Sequence, residues 1–414
     1  MSESSASETA ILLPAASVDI FIRDEKTIES AKLLPEDWRY ARVNVSVQEG
    51  DVEAAIQAYQ STPSPDLIII ETETTDESFA DRLEELSSYC GENTSAIVIG
   101  PTNDVDLYRK LVSMGVSDYL VRPVPIETLS EVVAKSLLEQ LGTSGSKLIT
   151  LIGSKGGVGT SSLTQLLAWG LSENCSQKTC LLDAAGGWST MGVGMGFEPT
   201  TTLHEGVRAA SNQDQDSLNR MLHKVSERLT VLASGAEQML EASVHAQQYE
   251  ELLDMLLASY PVVLADLSSA SSSLKRTVIN RAHEIIIVAT PTLSALRAAR
   301  SLMKEVKELR GGTEEGVDFV VNMQGLSSNK EISKKDIEAA LEHQLSAVIP
   351  FDPKLFVGSE SAGKNIYDEK EGKDLLNLIL PIVKNIVSIS SSEKQIEGEG
   401  QGILGGVLKK ISSK

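Results

Sequence analysis

The sequence predicts an α/β protein built from two doubly wound parallel-sheet units in tandem. Three observations carry this expectation. Short, continuous apolar runs such as Leu67–Ile70 and Ala96–Ile99 read as strands buried on both faces. Between them lie stretches whose apolar residues recur at helical spacing. A glycine-rich stretch at 153–159 follows one apolar run and opens one helical pattern, so the second half begins with a strand–loop–helix unit.

Bulk properties bound the rest. A length of 414 residues suggests two or three domains. A formal net charge of -21 opposes broad contact with phosphate backbones, so no nucleic acid is expected as a partner. Cys90, Cys175 and Cys180 form no C-x-x-C pair, which argues against a disulfide framework or a zinc site and fits a cytoplasmic protein. The start, MSESSASETA, lacks the basic and apolar regions of a signal peptide. No run of about 18 apolar residues is present to cross a membrane.

In chain order, residues 1–15 are expected to be a disordered tail. Residues 16–142 form the first unit. Its strands are expected at Asp19–Ile22, Leu67–Ile70, Ala96–Ile99 and Tyr119–Val121. Its helices include Val105–Met114, with Val105, Leu107, Tyr108, Leu111 and Val112 at helical spacing, and Thr128–Leu141, with Leu129, Val132, Val133, Leu137 and Leu141 on one stripe. Residues 143–147 (TSGSK) read as a linker. The second unit, 148–387, should hold strands at Leu148–Ile152, Cys180–Leu182, Leu229–Leu232, Pro261–Ala265, Glu284–Ala289, Val317–Val321 and Ser346–Ile349. The apolar stretch Leu375–Val383 reads as a buried helix, residues 388–401 as a polar linker, and 402–414 as a separate closing segment.

The glycine-rich loop carries the chemistry. Gly153, Ser154, Lys155, Gly156, Gly157, Val158, Gly159, Thr160, Ser161 and Ser162 lie between strand and helix. Glycines let backbone N–H groups turn inward around phosphate oxygens, and the helix N-terminus adds its dipole. Ser161 stands where a hydroxyl could hold Mg²⁺. The P-loop pattern G-x-x-x-x-G-K-[ST] wants lysine where Thr160 stands, while Lys155 precedes the paired glycines.

The segment K-G-G-V-G-T-S at 155–161 resembles the deviant Walker A of MinD/ParA ATPases. That resemblance implies ATP and Mg²⁺ as cofactors and a homodimer with nucleotide between its subunits. It makes Lys155 the lysine that reaches phosphate across the dimer. Asp183 follows the second strand at the first acid of the family's D-x-D, and Ala185 replaces the second acid, which orients water. Lys155 and Asp183 are the implied catalytic residues. Asp266, after the apolar run 262–265, takes the Walker B place, so Ser161, Asp183 and Asp266 are the implied metal ligands. Asn322, after Val320-Val321, resembles the family's adenine-contacting asparagine. The stretch Ile349-Pro350-Phe351-Asp352-Pro353 resembles its base-covering loop, so Asn322, Pro350 and Asp352 join the nucleotide-binding set.

A finer resemblance is to the TadZ/CpaE family of positioning ATPases of tight-adherence (Flp-type) pilus assembly. It rests on the small residue at 160, on Ile332-Ser333 and Asp336-Ile337-Glu338, on the run 348–356, and on Ser361-Ala362-Gly363. It rests also on a receiver-like first half, from Thr102–Arg109 to Gly115–Pro123. The fold implied is a receiver-like domain followed by a MinD/ParA-like P-loop NTPase. The partners implied are pilus secretion machinery, its motor ATPase or membrane platform, and an inner-membrane surface, with a polar location. A working receiver needs an acidic pair, an aspartate acceptor, a hydroxyl and a lysine. Asp24 and Glu25 stand for the pair, but Glu71, Gly100 and Arg122 occupy the other places, so no phosphorelay is expected.

In the closing segment, Ile403, Leu404, Val407, Leu408 and Ile411 share one helical face, and Lys409, Lys410 and Lys414 supply the charge. This pattern suits a weak membrane or partner helix. Weak or absent hydrolysis follows from Thr160 and Ala185. A pseudo-ATPase scaffold and a partition or cell-division ATPase are the alternatives.

Overall fold

The structure, a computed structural model, describes residues 11–74, 77–91, 94–140, 146–184, 189, 191–235, 245–327, 330–361 and 365–397. Two compact units divide the chain, residues 7–144 and 145–395 accounting for most of it.

The first unit holds a five-stranded parallel sheet: β1 (Ala16–Ile22), β2 (Val43–Glu49), β3 (Leu67–Glu71), β4 (Ser95–Gly100) and β5 (Asp118–Val121), in the order β2-β1-β3-β4-β5. Strand β3, LIIIE, is buried along its whole length because helices cover both faces. Ile11, Leu12 and Leu13 are buried as well, and the Leu13 N–H donates to the Arg39 carbonyl at 2.9 Å. Residues 11–15 are therefore ordered, correcting the tail expectation: three consecutive apolar side chains find a core. The helix Val105–Ser113 forms as expected, but only Leu111 of its apolar stripe is fully buried, and Val105, Tyr108 and Val112 face solvent.

Glu71 ends β3 with its carboxylate 2% exposed. It accepts the N–H groups of Arg23 and Asp24 and pairs with Arg122. Asp24 caps the helix Glu25–Leu33 through the Thr27 N–H, and a Cβ at Gly100 would overlap the Tyr119 ring. The acceptor place thus holds a saturated ion pair.

The second unit holds eight strands among the described residues: β6 (Lys147–Gly153), β7 (Thr179–Asp183), β8 (His223–Lys224), β9 (Leu229–Leu232), β10 (Val262–Asp266), β11 (Glu284–Ala289), β12 (Val317–Gln324) and β13 (Ala347–Pro350). Their order is β13-β12-β11-β6-β10-β7-β9-β8, parallel except for β8 against β9. The glycine-rich loop's strand, β6, is central. Lys147, expected in the linker, opens β6 and is buried. The apolar stretch at 375–383 forms the buried face of the helix Lys370–Glu397. That helix carries on through residues 388–397, which were expected to be linker. Ser, Glu, Lys and Gln extend a helix readily once a packed segment has nucleated it. Among the described residues, no helix is long and apolar enough to cross a membrane.

Glu284 opens β11 with 4% exposure. Burial, then its hydrogen bond to Asp318, pushes its carboxyl up to about 10, with the Arg310 charge opposing. A folded value raised above the unfolded one stabilises the protein fully below the ordinary value and loses that contribution as pH rises through the folded one. Glu284→Gln keeps a donor for Asp318 and cannot ionise. Thermal melts from the ordinary 4.5 to about 10 should show the wild type losing stability with a slope that the variant lacks in part.

Candidate nucleotide site

Strand β6 delivers the loop to the carboxyl edge of the sheet, where open α/β folds bind ligands. The Ser154 N–H donates to the Val288 carbonyl of β11 at 2.8 Å, anchoring the loop's start. Gly157 (φ +78°) and Gly159 (φ +85°) adopt the left-handed conformation that favours glycine. Gly159 caps the helix Thr160–Trp169 without any side-chain acceptor, so the first N–H groups of that helix can serve an anion. Thr160 is buried, and a Cβ at Gly153 would lie 2.5 Å from its Oγ1, so this side chain packs against the strand end. Lys155 is exposed, with Nζ 3.3 Å from the Gly156 carbonyl. Ser162 is half-buried in the first turn of the helix.

Asp266 ends β10 beside β6, Asp183 ends β7 beside β10, and the two are direct partners in the ladder. Both are fully buried. Asp266 Oδ1 accepts the Ser268 N–H at 2.9 Å, and the Ser161 hydroxyl lies 3.1 Å from the Ser268 hydroxyl. Asp266 Oδ2 is buried without a hydrogen-bond partner among the described residues. Burial raises the Asp266 carboxyl above its ordinary value, while Ser161 and Ser268 pull it down. A desolvated carboxylate oxygen beside a hydroxyl under a glycine loop fits a small hard cation, which takes oxygen ligands and keeps several waters. No group of three or more His, Cys, Asp or Glu that could hold a metal occurs among the described residues, so the protein would supply few of the ligands.

Asn322, near the end of β12, is buried, and its amide nitrogen donates to the Val158 carbonyl at 2.8 Å. Val158 itself packs into the core. Pro350 ends β13 and is exposed, and the Phe351 N–H ties this turn to the Gln324 carbonyl at 2.8 Å. Asp352 accepts the Leu355 N–H at 3.0 Å and so caps the helix Pro353–Ser361. Two groups escaped the sequence reading. Ser268 bridges the Ser161 hydroxyl to Asp266, and the serine pair after Asp266 was its only signal. Glu331 accepts the N–H groups of Gly325 and Ser327 and the Gln324 amide, pinning the turn after β12, with no local signal at all. Ala185, like Ile403, Leu404, Val407, Leu408 and Ile411, lies outside the described residues.

The family model described as "ParA: NUBPL iron-transfer P-loop NTPase" matches residues 145–387. The chain belongs to the ParA family of P-loop NTPases. Among its relatives, the septum site-determining protein MinD of Synechocystis is 24% identical over 230 residues, 54% of this chain and 84% of the relative. The MinD of Pyrococcus horikoshii complexed with Mg-ADP is 20% identical, with a TM-score of 0.50, covering 59% of this chain and 98% of that one. That likeness shows the fold of the ParA unit. A pilus assembly protein CpaE from Caulobacter crescentus is 31% identical, with a TM-score of 0.29, over 30% of this chain and 93% of its own.

Proposed function

We propose that this ParA-family chain is a nucleotide-dependent positioning protein for Flp-type pilus assembly. It binds ATP with Mg²⁺, pairs with a second copy across the nucleotide, and turns ATP over slowly or not at all. The observation that carries the nucleotide part is the pair Asp183 and Asp266, buried in register on neighbouring strands beneath the left-handed glycines of the 153–161 loop. The exposure of Lys155 on that loop, with Nζ 3.3 Å from the neighbouring Gly156 carbonyl, supports a role for it in reaching a second subunit's phosphates. The pilus part is supported by the coupling of a receiver-like five-stranded unit to a ParA unit, and by the motif run through 348–356. The machinery engaged would be the pilus motor ATPase or its membrane platform, reached at the inner membrane.

In this reading the cation supplies charge neutralisation at the phosphates when bound. Ser161, Asp183 and Asp266 would hold it, and the loop N–H groups would orient the phosphates. Thr160, buried against Gly153, leaves the place of the usual lysine without a cation, which favours slow turnover and keeps a scaffold reading in play. Light scattering with ATP–Mg²⁺ and with ADP tests the proposal. The wild type should double its mass with ATP only, and Lys155→Ala should bind ADP normally yet stay single with ATP. An unchanged mass in saturating ATP would remove the switch.

A further inference from the structure

Resemblance assigns Asn322 to the adenine ring, but its surroundings give it another task. The β12–β13 ladder pairs Val320 with Ala347 and Val321 with Val348, then shifts so that Gln324 meets Pro350. The irregularity falls on Asn322 and Met323. Met323 sits at φ +59°, a conformation uncommon outside glycine and costly for a long side chain. Strain of that kind persists only where surrounding contacts impose it, and it re-aims neighbouring side chains. Here both polar ends of the Asn322 amide are engaged. Oδ1 accepts the Met323 N–H at 2.9 Å, and Nδ2 donates at 2.8 Å to the Val158 carbonyl, which lies between the two left-handed glycines of the loop. The fit is close: a Cβ on Gly159 would overlap the Asn322 amide nitrogen and lie 3.4 Å from the Met323 methyl.

The peptide linking Val158 to Gly159 is planar and trans, so its carbonyl and its N–H point to opposite sides. Holding the Val158 carbonyl toward β12 therefore aims the Gly159 N–H away from β12. We infer that Asn322 is a positioning residue of the phosphate loop, fixing that peptide's orientation. This rests on the nucleotide reading above. Phosphate affinity then depends on a residue 164 positions from the loop.

Calorimetry with Mg²⁺ and ATP, GTP or inorganic tripolyphosphate separates the two roles, on the full chain carrying Asn322→Ala or Asn322→Asp. The aspartate keeps the shape and the acceptor for Met323 but offers no donor to Val158. ATP and tripolyphosphate affinities should fall together, by about tenfold in the alanine variant. The aspartate variant should be no better, the ATP-to-GTP ratio should hold, and the melting temperature of the ligand-free protein should move by only a few degrees. Loss of ATP binding with tripolyphosphate unchanged, or a collapsed base ratio, overturns the inference in favour of base reading. Full binding by Asn322→Asp also overturns it, because shape alone would then suffice. A wild type that binds neither ATP nor tripolyphosphate brings down the nucleotide reading itself, a result distinct from either.

Discussion

Gly159→Ala should reduce ATP affinity by about thirtyfold to a thousandfold, the sum of two penalties of about 1–2 kcal/mol each. The first is conformational: Gly159 sits at φ +85°, where a Cβ crowds its own backbone. The second is steric: the added carbon would overlap the Asn322 amide nitrogen. The loop can relieve both only by turning its peptides, which moves the N–H groups meant for phosphate. Gly157 provides the control. It is also left-handed, at φ +78°, but a Cβ there meets nothing within 4 Å, so Gly157→Ala pays the conformational penalty alone. Calorimetry should rank wild type above Gly157→Ala above Gly159→Ala. Equal losses at the two glycines would show that Asn322 exerts no pressure on the loop. In an Asn322→Ala background the Gly159 substitution should cost less, because the amide it collides with is gone.

Asp266→Asn should stabilise the ligand-free protein while abolishing the effect of Mg²⁺. The Asp266 carboxyl is raised above its ordinary value chiefly by burial. A raised folded value means that stability falls as pH climbs from the ordinary carboxylate range through that value, so the charged form of this group is a burden on the fold. Asparagine keeps an oxygen for the Ser268 N–H, now donated to Asp266 Oδ1 at 2.9 Å, and removes the charge. A gain of about 1–2 kcal/mol follows, or several degrees in melting temperature. The same change removes an anionic oxygen that has no partner of its own among the described residues. Added Mg²⁺–ATP should therefore raise the melting temperature of the wild type well above that of the variant. A variant less stable than wild type, still responding to Mg²⁺, would mean that Asp266 is structural.

Much of the fold could be read in advance where burial is uniform. Strands β3, β4 and β11 are short runs rich in β-branched residues, a length and composition that suit a strand buried on both faces. Strand β2, VNVSVQE, was missed because it lies at a sheet margin and mixes polar residues into a half-exposed pattern. The helix Val105–Ser113 was visible from its spacing, yet spacing cannot tell a stripe that faces the core from one that faces water. The glycine loop was legible because its conformations demand glycine at 157 and 159. The acids at strand ends were legible one at a time. Their adjacency was not, since β6, β10 and β7 are neighbours out of chain order. The bond from Asn322 to Val158 joins residues 164 apart, and no local pattern encodes such a meeting.

The margins of the larger sheet shape how copies of this protein can meet. One margin is β8, two exposed residues, His223 and Lys224, running against the direction of all the rest. The other is β13, which ends at Pro350, a residue with no N–H to give. A short charged stub and a proline-ended strand are poor templates for an incoming strand. Growth by sheet continuation, which is hard to undo, is discouraged at both sides. In the proposed nucleotide-dependent pairing, contact would run instead through loops at the carboxyl edge, so association could be made and unmade as the nucleotide comes and goes.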